Sequence, residues 1–313
     1  MGEALAYLNG RMVPVSQARL PVYDAGVVQG VAIAEQCRTF KRRLFRLYDH
    51  LDRLFRSLHS WGWDIGLEKE DLADISEKLV AHNGKLLAAG DELGVIQFVT
   101  PGPYATYAGM SKQPARHTPT VCVHTFRLPF ELWSDRMQYG ARLVTPVVRH
   151  VPPRCYTPHI KHRSRLHFYL AEREARLNDR EAWALLLDLK GKVTETNGAN
   201  FLIIKKGVII SPTTDNILPG ISRHVVIEIA EKLGIPFVER DFSVSAAKSA
   251  NEAFLTSTPF CLMAVTSIDG RAVGNGKPGP VFQRLLECWS TEVGVDIKQQ
   301  IVDRAKRRRA RKR

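Results

Sequence analysis

Residues 182–212, AWALLLDLKGKVTETNGANFLIIKKGVIISP, read as an apolar strand, a turn at Gly191, a second apolar strand and a second turn at Gly207. Glycine supplies the backbone freedom that such turns need. Between the two apolar runs lies a polar stretch, Thr194 to Asn200, holding one carboxylate, Glu195. A carboxylate there is either solvated in a loop or buried against a cationic partner that must keep its proton. Helical patterns flank the segment on both sides, so the chain is of mixed α and β class.

Outward from this stretch, helices are expected over 164–178 (SRLHFYLAEREARLN), from 221 (ISRHVVIEIAEKLG) and over 278–293 (PGPVFQRLLECWSTEV). Strands are expected at 236–244 (PFVERDFSV) and within 252–270 (EAFLTSTPFCLMAVTSIDG). In the first half, His50, Leu51, Leu54, Leu58 and Trp61 recur at helical spacing around 49–62, and a second helix pattern covers 68–89. Strand-like runs follow at 94–102 and 119–128. The segment 129–140, PFELWSDRMQYG, has little periodicity and reads as a connection. The expected organisation is a domain over 1–128, that connection, a larger domain over 141–299, and a basic tail over 300–313. No internal repeat is evident.

The chain has 313 residues, 44% hydrophobic, enough for two domains with a substantial core. Cys37, Cys122, Cys155, Cys261 and Cys288 lack metal-ligand or paired spacing, which points to free thiols in a reducing cytosol. Neither a signal peptide nor a membrane-spanning run is expected, and the location expected is cytoplasmic. Of the net charge of +13, the tail QIVDRAKRRRARKR contributes +7, from eight basic residues against Asp303. The run reads as a solvated, disordered tail with at most a weak, salt-dependent contact to a polyanion. The body does not carry the charge of a nucleic-acid-binding protein.

Four short constellations carry chemistry. In HIKHRSRLHFYL, 159–170, Lys161 stands beside His159, His162, Arg163 and Arg165, with no acid nearer in sequence than Glu172. It is either an exposed lysine or an amine held neutral by neighbouring cations and ready to attack. In TTDNILPGISRHVVIEIAEKLG, 213–234, Pro219 and Gly220 make a turn, Ser222 is placed to cap, and a helix start follows that suits a phosphate. In RLYDHLDRLFRSL, 46–58, His50, Arg53 and Ser57 share a helix face, with Arg53 either a surface charge or a phosphate ligand. In FLTSTPF, 254–260, the hydroxyls of Thr256, Ser257 and Thr258 stand at a strand end.

Together and in this order these motifs resemble the class IV aminotransferases, the fold-type-IV enzymes that use pyridoxal 5′-phosphate. That group includes branched-chain and D-amino-acid aminotransferases and aminodeoxychorismate lyase. The likeness runs from YLNGRMVPVSQARLPVYDAGVVQG through LFRLYDHLDRLFRSL, IKHRSRL, VTETNGANFLI and ILPGISR to FLTSTPF, nearly the whole chain except the tail. It implies an α+β fold of two domains, a small α/β domain and a larger one with a β-barrel-like sheet and helices. By position it implies Lys161 as the lysine that holds the cofactor as a Schiff base and moves the proton, and Glu195 as the partner of the pyridine nitrogen. Arg53, Gly220, Ile221, Ser222 and Thr258 would hold the phosphate, and Leu218 would lie under the ring. The expected partners are an amino acid, with branched-chain ones among the candidates, a 2-oxo acid and a second copy of the chain in a homodimer.

Substrate choice is where the resemblance thins. Thr100 and Pro101 stand where the family often has an arginine for the substrate carboxylate, leaving Arg38, Arg163 and Arg165 as alternatives. Leu166 replaces a tyrosine common in branched-chain enzymes, and the histidine after Lys161 is closer to the lyases. Ala34, Gln36 and Phe98 complete the expected pocket, with Arg38 and Thr100. The lyase is the alternative reading, and a cofactor-free binding protein with a basic tail is a third. The Lys161, Glu195 and Arg53 set counts against the last.

Overall fold

The chain folds into two compact units, Met1–Leu128 with Ile160–Ser164, and Pro129–His159 with Arg165–Arg313. They are described from a computed structural model that covers residues 2–109 and 118–311.

The first unit opens with β1 (Leu5–Leu8), β2 (Arg11–Pro14), α1 (Ala25–Val28), β3 (Ile33–Phe40) and β4 (Arg43–Phe45). It continues with α2 (Leu47–Ser60), α3 (Lys69–Gly84), β5 (Leu93–Thr100), α4 (Ala105–Ala108) and β6 (Thr120–Arg127). The six strands form one antiparallel sheet in the order β2-β1-β6-β5-β3-β4. Leu47, Leu51, Leu54 and Leu58 recur every three or four residues along α2, so one face of the helix is leucine and is buried. That face joins Ile33, Cys37, Val95 and Val123 of the sheet and Leu72 and Leu79 of α3 in a single core. Each fully buried leucine stabilises the unit by about 1.5–3 kcal/mol.

The second unit contains α5 (Ser134–Tyr139), β7 (Ala141–Val144), α6 (Leu166–Asn178), β8 (Trp183–Leu187), β9 (Val193–Thr196) and β10 (Ala199–Lys205). Then come β11 (Val208–Ser211), α7 (Ile221–Lys232), β12 (Phe237–Glu239), α8 (Val244–Lys248) and β13 (Glu252–Ser257). The chain closes with β14 (Cys261–Ile268), β15 (Arg271–Ala272), α9 (Pro280–Val293) and α10 (Ile297–Arg311). The sheet order is β12-β11-β10-β13-β14-β7-β8-β9, and β9 also pairs with β10. That extra pairing closes β10, β13, β14, β7, β8 and β9 into a ring, the barrel-like sheet that the resemblance implies. The stretch 182–212 supplies three of the six ring strands.

Three expectations need correction. The expected strand over 236–244 ends at Glu239, because Ser243 caps α8 by accepting the Ala246 N–H at 3.3 Å. The segment 129–140 is not a connection but part of the second unit, forming a 3-10 turn over Phe130–Leu132 and then α5. Phe130 is fully buried, and Trp133 packs edge-on to Phe260 at 6.0 Å.

The tail is the third correction. Through Arg311 it is helical rather than disordered: α10 buries Ile297, Ile301, Val302 and Ala305, one apolar stripe among the charges, and Lys312 and Arg313 lie outside the described residues. Its cations reach back to the 129–140 segment. Arg308 pairs with Glu131 and lies over the Phe130 ring at 5.4 Å, and Arg309 meets Asp135 at 3.2 Å. A count of charges along the run hid Ile301, Val302 and Ala305, which continue the buried stripe begun by Ile297. Deleting 300–313 should therefore destabilise the second unit by about 3–5 kcal/mol, from Ile301, Val302 and Ala305 alone. A thermal melt should show a loss of roughly 6–20 °C. An unchanged melting temperature would mean that the helix does not hold the 129–140 segment.

Candidate active site

Lys161 belongs to a five-residue stretch that lies along β3 in the first unit. Ala34 N–H donates to the Lys161 carbonyl at 2.9 Å, and Arg163 N–H donates to the Ala32 carbonyl at 2.7 Å. Ser164 Oγ donates to the Gly30 carbonyl at 2.9 Å. These bonds hold the Lys161 backbone against Ala32–Ala34 by main-chain geometry that any side chain at 161 preserves. Lys161 itself is half-buried.

Directly on β3, Glu35 is fully buried. Arg53 of α2 grips it in a fork, Nε to Oε1 at 2.7 Å and Nη2 to Oε2 at 2.8 Å, and His50 Nδ1 lies 2.8 Å from Oε2. Burial pushes the Glu35 carboxyl up, but Arg53 and His50 outweigh it and hold the group well below the usual carboxylate range. Burial also depresses His50; Glu35 opposes that shift, while the charges of Arg53 and Lys161 add to it. Lys161 therefore shares its surroundings with a buried acid that sequence proximity did not reveal. The signal was a single glutamate inside the apolar run AIAEQC, matched by an arginine and a histidine on one helix face.

The expected pocket residues divide. Ala34 is fully buried and sits opposite Phe98, while Gln36, two residues on, shares its strand face and is half-buried. Phe98 is half-buried and packs edge-on to His124 at 6.3 Å. Arg38 is in the core at 1% exposure, with its guanidinium 3.9 Å over the Phe40 ring and Nε donating to the Thr39 carbonyl. Thr100 is also in the core, and its Oγ1 donates to Asp24 Oδ2 at 3.0 Å. Thr120 Oγ1 donates to the same oxygen, and Asp24 Oδ1 takes the Gly26 N–H at the start of α1. Thr100 is thus a member of a structural clasp around Asp24.

In the second unit a row of polar residues crosses three neighbouring strands: Glu195 on β9 faces Asn200 on β10, which faces Thr256 on β13. Asn200 Nδ2 donates to Glu195 Oε2 at 3.0 Å and to the Leu218 carbonyl at 2.9 Å, and Leu218 N–H also donates to Glu195 Oε2 at 3.3 Å. Glu195 is therefore buried and held on one oxygen by two neutral donors, not solvated in a loop. Asn200 is the residue that sequence reading passed over; it fastens the 218–220 loop to the sheet. Gly220 is required here, since a Cβ would come within 2.1 Å of Asn200 Oδ1.

Helix α7 begins with Gly220 at the N-cap and no side-chain cap. Ser222 is the helix's second residue, buried at 6%, rather than the cap. The first N–H groups of α7 accordingly lack a side-chain acceptor, the arrangement that suits an anion. At the end of β13, Thr256 Oγ1 is buried with no hydrogen-bond partner among the described residues, Ser257 Oγ donates to the Gly198 carbonyl, and Thr258 is half-buried. A buried carboxylate, uncapped N–H groups and an orphaned hydroxyl make a set whose chemistry fits a phosphorylated pyridine cofactor.

Residues 32–268 match the family model described as amino-transferase class IV. The chain is 33% identical over 298 residues to branched-chain-amino-acid aminotransferase-like protein 1 of Arabidopsis thaliana, covering 94% of this chain and 52% of that protein. It thus spans about half the length of that relative. It is 32% identical over 287 residues to a D-alanine aminotransferase of Staphylococcus aureus, covering 90% of this chain and 95% of that one. The fold is similar to the crystal structure of the branched-chain aminotransferase of the thermophilic archaeon Thermoproteus uzoniensis with norvaline. That likeness has a TM-score of 0.80 at 27% identity, over 94% of this chain and 96% of that one.

Proposed function

Because the chain belongs to the class IV aminotransferases, we propose that it is a pyridoxal 5′-phosphate-dependent transaminase moving an amino group between an amino acid and a 2-oxo acid. The observation that carries this reading is that Lys161, laid along β3, and Glu195, held by Asn200 and Leu218, both fall in the matched stretch. Bound pyridoxal phosphate would supply the electron sink for the charge left on substrate Cα.

This chain's residues do the rest. Lys161 would be the attachment point, and its Nζ would take the proton from substrate Cα and give it back. Glu195 would hold the proton on the ring nitrogen. The N–H groups of Ile221 and Ser222 after Gly220, and Thr258, would take the phosphate, Arg53 would be its arginine ligand, and Leu218 would support the ring. Glu35 and His50 fix the direction of the Arg53 guanidinium. A branched-chain or small substrate, a homodimer and a cytoplasmic location belong to the same proposal.

The test is a half-reaction screen. Single L- and D-amino acids are added to the yellow holoenzyme, and a transaminase passes to the pyridoxamine form with at least one of them. Release of product without that form would favour the lyase alternative.

Glu195→Gln should keep its affinity for the cofactor, because the phosphate ligands are untouched. Its turnover should fall on the order of 100-fold, because an amide cannot balance a pyridinium charge. Steady-state kinetics beside a cofactor titration checks this, and near-normal turnover would remove Glu195 from the ring nitrogen.

A further inference from the structure

His150 lies beyond the end of β7, and the cofactor set assigns it no part. It is 8% exposed, its backbone N–H donates to the Leu187 carbonyl at the end of β8, and its ring is packed between other side chains. His167 and Phe168 of α6 approach that ring edge-on at 5.4 and 5.6 Å. Its two nitrogens point at two oxygens. Nδ1 is 3.1 Å from the Val151 carbonyl, and Nε2 is 3.5 Å, an ion-pair separation, from Glu195 Oε1.

A carbonyl and a carboxylate can only accept, so each ring nitrogen has an acceptor within reach. For Glu195 the contact is equally specific. Oε2 is occupied by Asn200 and Leu218, and among the described residues Oε1 has His150 alone. Each carboxylate oxygen therefore has a polar neighbour: Asn200 and Leu218 at Oε2, and His150 at Oε1.

We propose that His150 is a positioning residue for Glu195: a proton on His150 Nε2 holds the second carboxylate oxygen and so fixes the aim and charge of the group that serves the cofactor's ring nitrogen. The inference rests on the role given to Glu195 above. The titratable groups packed against the His150 ring are Glu195 of β9 and His167 of α6. Buried polar partners of this kind orient a functional group without touching the reacting atoms.

Two substitutions separate a hydrogen-bonding role from a packing role. His150→Phe keeps an aromatic ring against His167 and Phe168 but loses the donor. His150→Gln loses the ring but keeps an N–H near the position of Nε2. The Phe variant should lose about tenfold in kcat with KM and cofactor affinity within about threefold, and the Gln variant should stay within about threefold of the parent. The reverse order, or both variants within twofold of the parent, would overturn the proposal. Glu195→Gln is measured alongside: if it retains normal turnover, the role of Glu195 fails first and this inference falls with it. Ring-nitrogen NMR of the unsubstituted holoenzyme decides the matter even if a variant fails to fold. A protonated Nε2 on His150 is expected, and a bare Nε2 would overturn the proposal.

Discussion

Lys161→Ala should lose on the order of 10⁴-fold or more in turnover, since it removes both the attachment point and the group that moves the proton. The fold should survive the change. The hydrogen bonds that hold residue 161 to β3 are made by main-chain atoms, Ala34 N–H to the Lys161 carbonyl and Arg163 N–H to the Ala32 carbonyl. The melting temperature should therefore move by only a few degrees, while borohydride treatment, which should fix the yellow colour to the Lys161 peptide of the parent, labels nothing. The check is peptide mapping after reduction, together with kinetics. A label on another lysine, or turnover within tenfold of the parent, would remove Lys161 from the chemistry.

The largest effect on stability is expected at Glu35. In Glu35→Gln the Arg53 guanidinium stays buried at 3% exposure without its carboxylate, and His50 loses the same partner. Breaking one side of a buried ion pair costs about 3–5 kcal/mol, because the remaining charge is neither solvated nor balanced. The pH dependence has a definite sign. The folded-state value of Glu35 is depressed, so the unfolded chain takes up the proton first as pH falls. The contribution is fully present above the usual glutamate value of about 4.3 and declines as the solution is acidified below it, toward the lower folded value. Urea titrations of parent and variant should differ most near neutrality, and the difference should begin to shrink only as pH falls below about 4. A difference that is constant with pH would mean that Arg53 is balanced by something other than the Glu35 charge.

Residues close in sequence announced most of the local structure. The leucine spacing of α2 and the Pro-Gly turn before α7 are local patterns, and each produced the element expected of it. The reading of 300–313 failed although its information was equally local. Eight cations dominated the composition, and the stripe of Ile301, Val302 and Ala305 became meaningful only once Phe130, Glu131 and Asp135 were there to receive it. Arg308 and Glu131 are 177 residues apart, and no periodicity links them.

The candidate site divides along the same line. From the sequence by itself came the residue types and their order: Lys161, Glu195, the glycine before a helix at 220, the arginine on a leucine-faced helix, and with them the family. These are legible because chemistry demands particular side chains at positions set by short-range geometry. Only the tertiary structure decided what each charge faces. It turned Arg53 toward Glu35 across 18 residues, closed β9 onto β10 so that Asn200 reaches Glu195, and bonded the Lys161 stretch to β3. The reason is physical: a buried charge takes its partner from whatever the packed sheet brings within hydrogen-bond reach, and that depends on strand order and register rather than on the spacing of residues along the chain.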